Sequence, residues 1–319
     1  MFSLVIPVFR NEASIPDLLD AVDGIGRELQ DKLEVVFVDD GSPDRSYELL
    51  REGLATRTFD SRLMRHSRNF GSFAAIRTGL SHARGQYFAV MAADLQEPPE
   101  LIVAIFRRLA EGSCDVVLGV REGRNDPVLA RAASSLFWRI FRAVVQPDLP
   151  PGGADVFGCN EVFRGKLGEL PETHSSLIGL SCWLGFRRSY IGYERKARRH
   201  GKSAWTLRKK LDYFLDSMFS FTDLPVKLLL MAGTVGLLMA SVWSAVVLYA
   251  RISGQITVPG YSTTLIVILL FGALNSLGLG IIGSYVWRIF MNVNRRPEAV
   301  VMSVEDVDSV NVDGQGTRN

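Results

Sequence analysis

Residues 228–250 and 264–287 contain no charged side chain, and no other feature restricts the fold of this chain so strongly. Each run exceeds the roughly 20 residues that carry a helix across a hydrocarbon core. In lipid a helix satisfies all of its own backbone polar groups, which an isolated loop or strand cannot do. Two transmembrane helices, 228–250 and 264–287, are therefore predicted. The connection 251–263 holds one basic residue, Arg251, whereas Lys227 precedes the first run and Arg288, Arg295 and Arg296 follow the second. The positive-inside rule then places both outer flanks in the cytoplasm. The tail from Glu298 onward is mildly acidic, contains Gly and Ser and has no helical period, so 291–319 is predicted to be a disordered cytosolic tail.

What precedes the helices must be soluble, because 22% of the 319 residues are charged although the mean hydropathy is positive. The chain opens directly on an apolar run at 2–6 with no basic leader before it, which predicts no cleaved signal. Cys114, Cys159 and Cys182 have no CxxC spacing, and His66, His82, His174 and His200 form no ligand pattern. Neither a disulfide framework nor a zinc site is supported, and a reducing cytosol is the predicted compartment.

Short β-branched or aromatic runs at 3–7, 34–38, 62–66, 86–91 and 115–119 are separated by segments with apolar residues at helical spacing. In the first of these, Ile15, Leu18, Leu19, Val22 and Ile25 share one face, with Ser14 at the N-cap position and Pro16 in the first turn. Strands alternating with helices predict an α/β fold with a mostly parallel sheet covered on both faces. Such sheets bind ligands at the carboxyl ends of their strands.

The turns at those ends discriminate among ligands. The first strand runs into Pro7-Val8-Phe9-Arg10-Asn11-Glu12 without a glycine, which excludes a G-x-G-x-x-G dinucleotide turn and a P-loop. The second ends in Val38-Asp39-Asp40-Gly41-Ser42. That acidic pair can accept from a base N–H or ribose hydroxyls while Gly41 permits close approach; alternatively, Asp40 caps the next helix. The fourth ends in Met91-Ala92-Ala93-Asp94-Leu95-Gln96-Glu97-Pro98-Pro99-Glu100, where a helix starting at the prolines explains Pro98, Pro99 and Glu100 but not Asp94.

These motifs, with Ser67-Arg68-Asn69-Phe70-Gly71, stand in the order and spacing of family-2 glycosyltransferases. More narrowly, the chain resembles the polyprenyl-phosphate glycosyltransferases, which include dolichol-phosphate mannose synthase and bacterial enzymes with a two-helix anchor. The likeness covers about residues 1–296. It implies a GT-A catalytic domain that inverts the anomeric centre of a nucleotide sugar, UDP-linked by analogy with the two-helix bacterial relatives. The acceptor would be polyprenyl phosphate, undecaprenyl or dolichyl. By the same resemblance Pro7, Val8, Glu12, Asp39, Asp40, Arg68 and Ala93 line the nucleotide, and Asp94 and Gln96 hold Mg²⁺ or Mn²⁺. Ala92 stands where many relatives have Asp, leaving Asp94 as the acidic ligand. One carboxylate and one amide suffice if the diphosphate and water complete the shell.

From 187 to 210 there are ten lysines and arginines against one acid, Glu194. Interleaved with Trp205, Leu207, Leu211, Tyr213 and Phe214 just before the apolar runs, this block is predicted to form an interfacial amphipathic segment, 201–226, on anionic lipid rather than to bind nucleic acid. The family's R-x-x-G-x-S pattern falls on Arg198 and Ser203, which the resemblance assigns to diphosphate or lipid phosphate, with Lys209 and Lys210 as further phosphate contacts or plain surface anchors. Arg121 and Arg124 are phosphate candidates on the same ground. Segment 134–142 is amphipathic and packs either on the core or on the membrane.

Asp155 matches the family's catalytic aspartate, without the arginine expected downstream. A phosphate monoester has a second pKa of about 6 and is already mostly ionised near neutrality, so Asp155 is predicted to orient the acceptor or sugar more than to remove a proton. The expected organisation is a cytosolic catalytic domain at 1–200, the juxtamembrane segment, and the helix pair within 227–290. Glycines 272, 278, 280 and 283 suit the second helix to close packing, within the chain or in a homo-oligomer. The alternatives are a processive polysaccharide synthase and a non-catalytic membrane-tethered nucleotide-sugar-binding protein.

Overall fold

The computed structural model describes residues 1–122, 154–170, 177–196, 222, 224–253, 260–294 and 297–307. The strands are β1 (Phe2–Val8), β2 (Leu33–Asp39), β3 (Asp60–His66), β4 (Tyr87–Val90), β5 (Val116–Glu122), β6 (Ala154–Asn160), β7 (Arg188–Glu194) and β8 (Val301–Val307). They form one sheet in the order β7-β5-β6-β4-β1-β2-β3-β8. β1 lies parallel to β2 and β4, β2 to β3, and β5 to β7; β6 runs against β4 and β5, and β8 against β3. All five predicted strands are present, within two residues of their expected ends except that β5 runs three residues farther, to Glu122.

Both faces are covered, which is why β2 is buried along its whole length. Successive side chains of a strand point to opposite faces. Leu4, Ile6, Val35 and Phe37 join one core with α1 (Ile15–Leu29) and α4 (Pro99–Ala110). Val5, Val36 and Val38 join the other, with α3 (Ser72–His82) and α5 (Glu161–Glu169). Between β2 and β3 runs α2 (Ser46–Leu54), and between α5 and β7 runs α6 (Leu177–Trp183). Ser14 does occupy the cap position of α1, but its side chain makes no capping bond. α4 begins at Pro99 with Pro98 as its cap, as expected.

Three strands lay outside the sequence expectation, and β8 corrects it. Residues 301–307, expected to be disordered, pair with β3 over Ser61 to His66. The acidic residues that read as solvating meet basic partners there. Arg62 donates to Asp306 at 2.6 and 3.3 Å and Arg84 at 3.1 Å, while Tyr47 and Arg51 each donate to Glu305 at 2.9 Å. Just upstream, Arg77 pairs with Glu298 at 3.0 Å and the Ser67 N–H donates to the Val300 carbonyl at 2.9 Å. Residues 308–319 lie outside the described part.

The apolar runs form α7 (Leu224–Ile252) and α8 (Tyr261–Val293), both longer than the uncharged stretches that predicted them. Both are long and apolar enough to cross a membrane. They expose Leu230, Met231, Trp243, Leu270 and Trp287. α8 meets α7 where a Cβ on Gly278 would stand 3.3 Å from Leu229 and one on Gly236 3.7 Å from Phe271, whereas Gly272, Gly280 and Gly283 have nothing within 4 Å. Segment 134–142 and residues 201–221 of the predicted amphipathic segment 201–226 lie outside the described residues, and residues 224–226 of the latter belong to α7. Only residues 294–300 separate α8 from β8. Because β8 is antiparallel to β3, it enters the sheet opposite His66, at the carboxyl edge of the parallel strands.

Candidate active site

The carboxyl ends of β1 and β2 are neighbours, with Pro7 opposite Val38 and Val8 opposite Asp39. The loops that follow are laced together. Arg10 N–H donates to Ser42 Oγ at 3.2 Å, Asn11 N–H to Ser46 Oγ at 2.9 Å, Glu12 N–H to Asp44 at 3.4 Å, and Arg45 N–H to Glu12 Oε2 at 3.2 Å. Arg10 has φ 55°, a left-handed conformation costly for a residue with a side chain. Glu12 is exposed beside it. The sequence-predicted Pro7, Val8, Glu12 and Asp39 thus share one fixed rim.

The two aspartates of β2's end have different surroundings. Asp40 is buried and accepts from His66 Nδ1 at 2.9 Å, Phe70 N–H at 2.8 Å and Gly71 N–H at 2.7 Å. It makes no capping bond to α2 or α3; it holds the 67–71 loop. His66 in turn contacts Thr78 Oγ1 at 3.0 Å. Gly41, with φ +64°, makes its close approach to protein: a Cβ there would stand 2.6 Å from the Arg68 carbonyl carbon. Asp39 accepts from Ser42 N–H at 3.3 Å and lies 3.5 Å from Arg65 Nε. Burial pushes its carboxyl pKa up, against the opposing pull of Ser42 and Arg65. Arg68 is exposed, with its guanidinium 4.0 Å over the Phe70 ring.

At the end of β4, next to β1, Ala93 is buried and Asp94 half-buried. Leu95 has φ 53°, a second left-handed residue at the same edge. The Gln96 N–H donates to Asp94 Oδ1 at 3.3 Å. Gln96 Oε1 accepts from an Arg195 guanidinium nitrogen at 2.5 Å, and its carbonyl accepts from Lys196 N–H at 2.9 Å. Glu97 is buried and accepts from Ala92 N–H at 3.3 Å. Among the described residues no three His, Cys, Asp or Glu side chains cluster as a metal cage. Asp94 fits a divalent cation as one carboxylate of a shell completed by diphosphate and water. Gln96 does not fit while a guanidinium holds its oxygen, because the two cations would repel.

Asp155 lies at the start of β6, which runs against its neighbours and so begins at this same edge. Gly119 pairs with Val156 and Val120 with Ala154, leaving Asp155 as the extra residue of a β-bulge. Bulges concentrate at sheet edges and beside active sites. Arg121 is half-buried near the end of β5, opposite Tyr193. Arg124, Arg198, Ser203, Lys209 and Lys210 lie outside the described residues. Sequence reasoning passed over His66 and Arg195. A lone histidine at a strand end carries no signal, whereas Arg195, directly after β7, stands inside the basic block 187–210.

An α/β sheet that gathers Asp39, Asp94 and Asp155 at one carboxyl edge, beside loops with left-handed residues, has the architecture of a GT-A fold. The glycosyl transferase family 2 profile matches residues 3–171, and the chain belongs to that family. It is similar to a glycosyltransferase called YkcC of Bacillus subtilis, with 31% identity over 97% of this chain and 95% of that protein. It is also similar to an undecaprenyl-phosphate 4-deoxy-4-formamido-L-arabinose transferase of Edwardsiella ictaluri, at 30% over 95% and 93%. A bactoprenol glucosyl transferase of Shigella flexneri shares 28% over 94% and 96%.

Proposed function

We propose that the protein transfers a hexose, with inversion, from a nucleotide sugar, UDP-linked in preference to GDP-linked, to polyprenyl phosphate at the cytoplasmic face of a membrane. The observation that carries this reading is the return of the chain from α8 into β8. It joins the apolar helix pair to the carboxyl edge of the sheet through residues 294–300 alone. Seven residues span at most about 25 Å, so the helix pair is tethered to the same edge of the sheet at which Asp94 and Asp155 stand. The names of two relatives, both transferases to a polyprenyl lipid, support the same acceptor.

In the reaction, an oxygen of the lipid phosphate attacks the anomeric carbon from the side opposite the diphosphate. One carbon–oxygen bond forms as the bond to the leaving diphosphate breaks. The nucleophile is already ionised near neutral pH, so Asp155 orients it or the sugar. Pro7, Val8, Glu12 and Asp39 hold the nucleoside, with Arg68 at the loop beside them and Arg121 toward the phosphates. A Mg²⁺ or Mn²⁺ on Asp94 would neutralise charge on the leaving group.

Incubating membranes that contain the protein with labelled nucleotide sugars, Mg²⁺ or Mn²⁺ and undecaprenyl phosphate tests the reading. A charged, acid-labile glycolipid is expected, and Asp94→Ala should reduce its formation by a factor of about 100 or more. A water-soluble polymer would identify a processive synthase. No product with any donor would identify a binding protein.

A further inference from the structure

We infer that Arg195 is a further site residue, one that binds the diphosphate of the donor, and that its hydrogen bond to Gln96 is a resting contact made when no donor is bound. This rests on the nucleotide-sugar reading above and deepens it by assigning the charge that meets the leaving group apart from any metal.

The sheet order supplies the geometry. Asp39 ends β2 and Asp94 follows β4, with β1 between them. Neighbouring strands lie about 4.8 Å apart, so the two ends are separated by roughly 10 Å. That is comparable to the reach from a base to its diphosphate. A nucleotide whose base or ribose meets Asp39 therefore carries its diphosphate to the Asp94–Gln96 loop. Arg195 arrives at this loop from the other side of the sheet. Its strand, β7, lies three places from β4, and the chain crosses that distance as soon as β7 ends. Two hydrogen bonds fix the crossing, from Arg195 to Gln96 Oε1 at 2.5 Å and from Lys196 N–H to the Gln96 carbonyl at 2.9 Å.

Chemistry decides what the guanidinium does there. The guanidinium donates there to a neutral amide oxygen, whereas a diphosphate oxygen offers the same charge-assisted hydrogen bond and adds the attraction between opposite full charges. A diphosphate at the loop therefore outcompetes Gln96, and its paired oxygens match the planar fork of an arginine better than a lysine ammonium does. Gln96 Oε1 is released in the same exchange, so the amide becomes available to the cation or the sugar only after the donor has bound. Arg195 thereby supplies positive charge where the leaving group develops negative charge.

The test is calorimetric titration of the full-length protein in detergent with uridine, UDP, guanosine and GDP, in EDTA so that no metal contributes. Wild type, Arg195→Gln and Arg195→Lys are compared, with thermal melting as the control for folding. Arg195→Gln is expected to weaken the diphosphate that wild type prefers by about tenfold or more and to leave the matching nucleoside unchanged, with Arg195→Lys in between. Equal weakening of nucleoside and diphosphate would show a merely structural arginine and overturn the inference, as would no change in either. Wild-type protein that binds a diphosphate only when Mg²⁺ is added back would also overturn the inference, and protein that binds neither diphosphate even then would instead overturn the nucleotide-sugar reading itself.

Discussion

At the residue scale, the carboxylates at the strand ends divide into those that support the fold and those proposed to act. Asp40, with three donors inside the protein, belongs to the first kind, although the sequence offered it as a twin of Asp39. The doublet was legible as a strand-end feature; the division of labour was not, because it depends on His66 and on the Phe70 and Gly71 amides, some thirty residues away. Asp39 titrates in a way that can be checked. Burial raises its folded pKa above the ordinary value near 4, so the native state holds that proton more tightly than the unfolded chain. Stability is therefore lost as pH rises from the unfolded pKa through the folded one, and it stays lost above that window. Asp39→Asn, whose amide oxygen can still accept from Ser42, is expected to be at least as stable as wild type in urea at pH 7.5. That advantage should shrink as pH falls toward 4, while nucleotide binding weakens at every pH. A variant that gains relative to wild type on acidification would contradict the burial argument.

At the element scale, close packing of helices on the sheet was only partly readable from apolar periodicity. The contact face of α1 followed from its spacing, but nothing in the sequence marks how near α4 comes to β6. Gly158 makes that approach: a Cβ there would stand 2.3 Å from Ile105 Cγ2 and 2.8 Å from the Phe88 carbonyl oxygen. Gly158→Ala is expected to cost about 1–3 kcal/mol in urea unfolding. Gly24, in α1 with nothing within 4 Å of the added carbon, should gain about 0.5–1 kcal/mol as alanine. β8 was illegible for a different reason. Its partner strand is more than two hundred residues away, and its acids looked solvated because Arg62, Arg84 and Arg51 are remote in sequence. Asp306→Arg places like charge against Arg62, whose side chain is only 8% exposed. A loss of about 1–2 kcal/mol is expected, allowing for the exposure of Asp306, together with faster proteolysis after residue 297. Pairing it with Arg62→Asp should restore part of both.

At the scale of the whole molecule, two features that the sequence presented separately are one arrangement. The uncharged runs announced an anchor, and the strand ends announced a site, but no local pattern showed that the chain leaving α8 enters the sheet at the site's own edge. In the proposed reaction that connection would bring a lipid-borne acceptor to the sheet edge that also receives the nucleotide sugar. The most direct test uses purified full-length protein in vesicles holding undecaprenyl phosphate, supplied in turn with UDP- and GDP-linked hexoses and a divalent cation. Mass spectrometry of the extracted lipid is predicted to show undecaprenyl phosphate heavier by one hexose residue, with one nucleoside diphosphate released for each product and neither formed by Asp94→Ala. Nucleoside diphosphate released without a glycosylated lipid, or sugar recovered only in a polymer, would contradict the account.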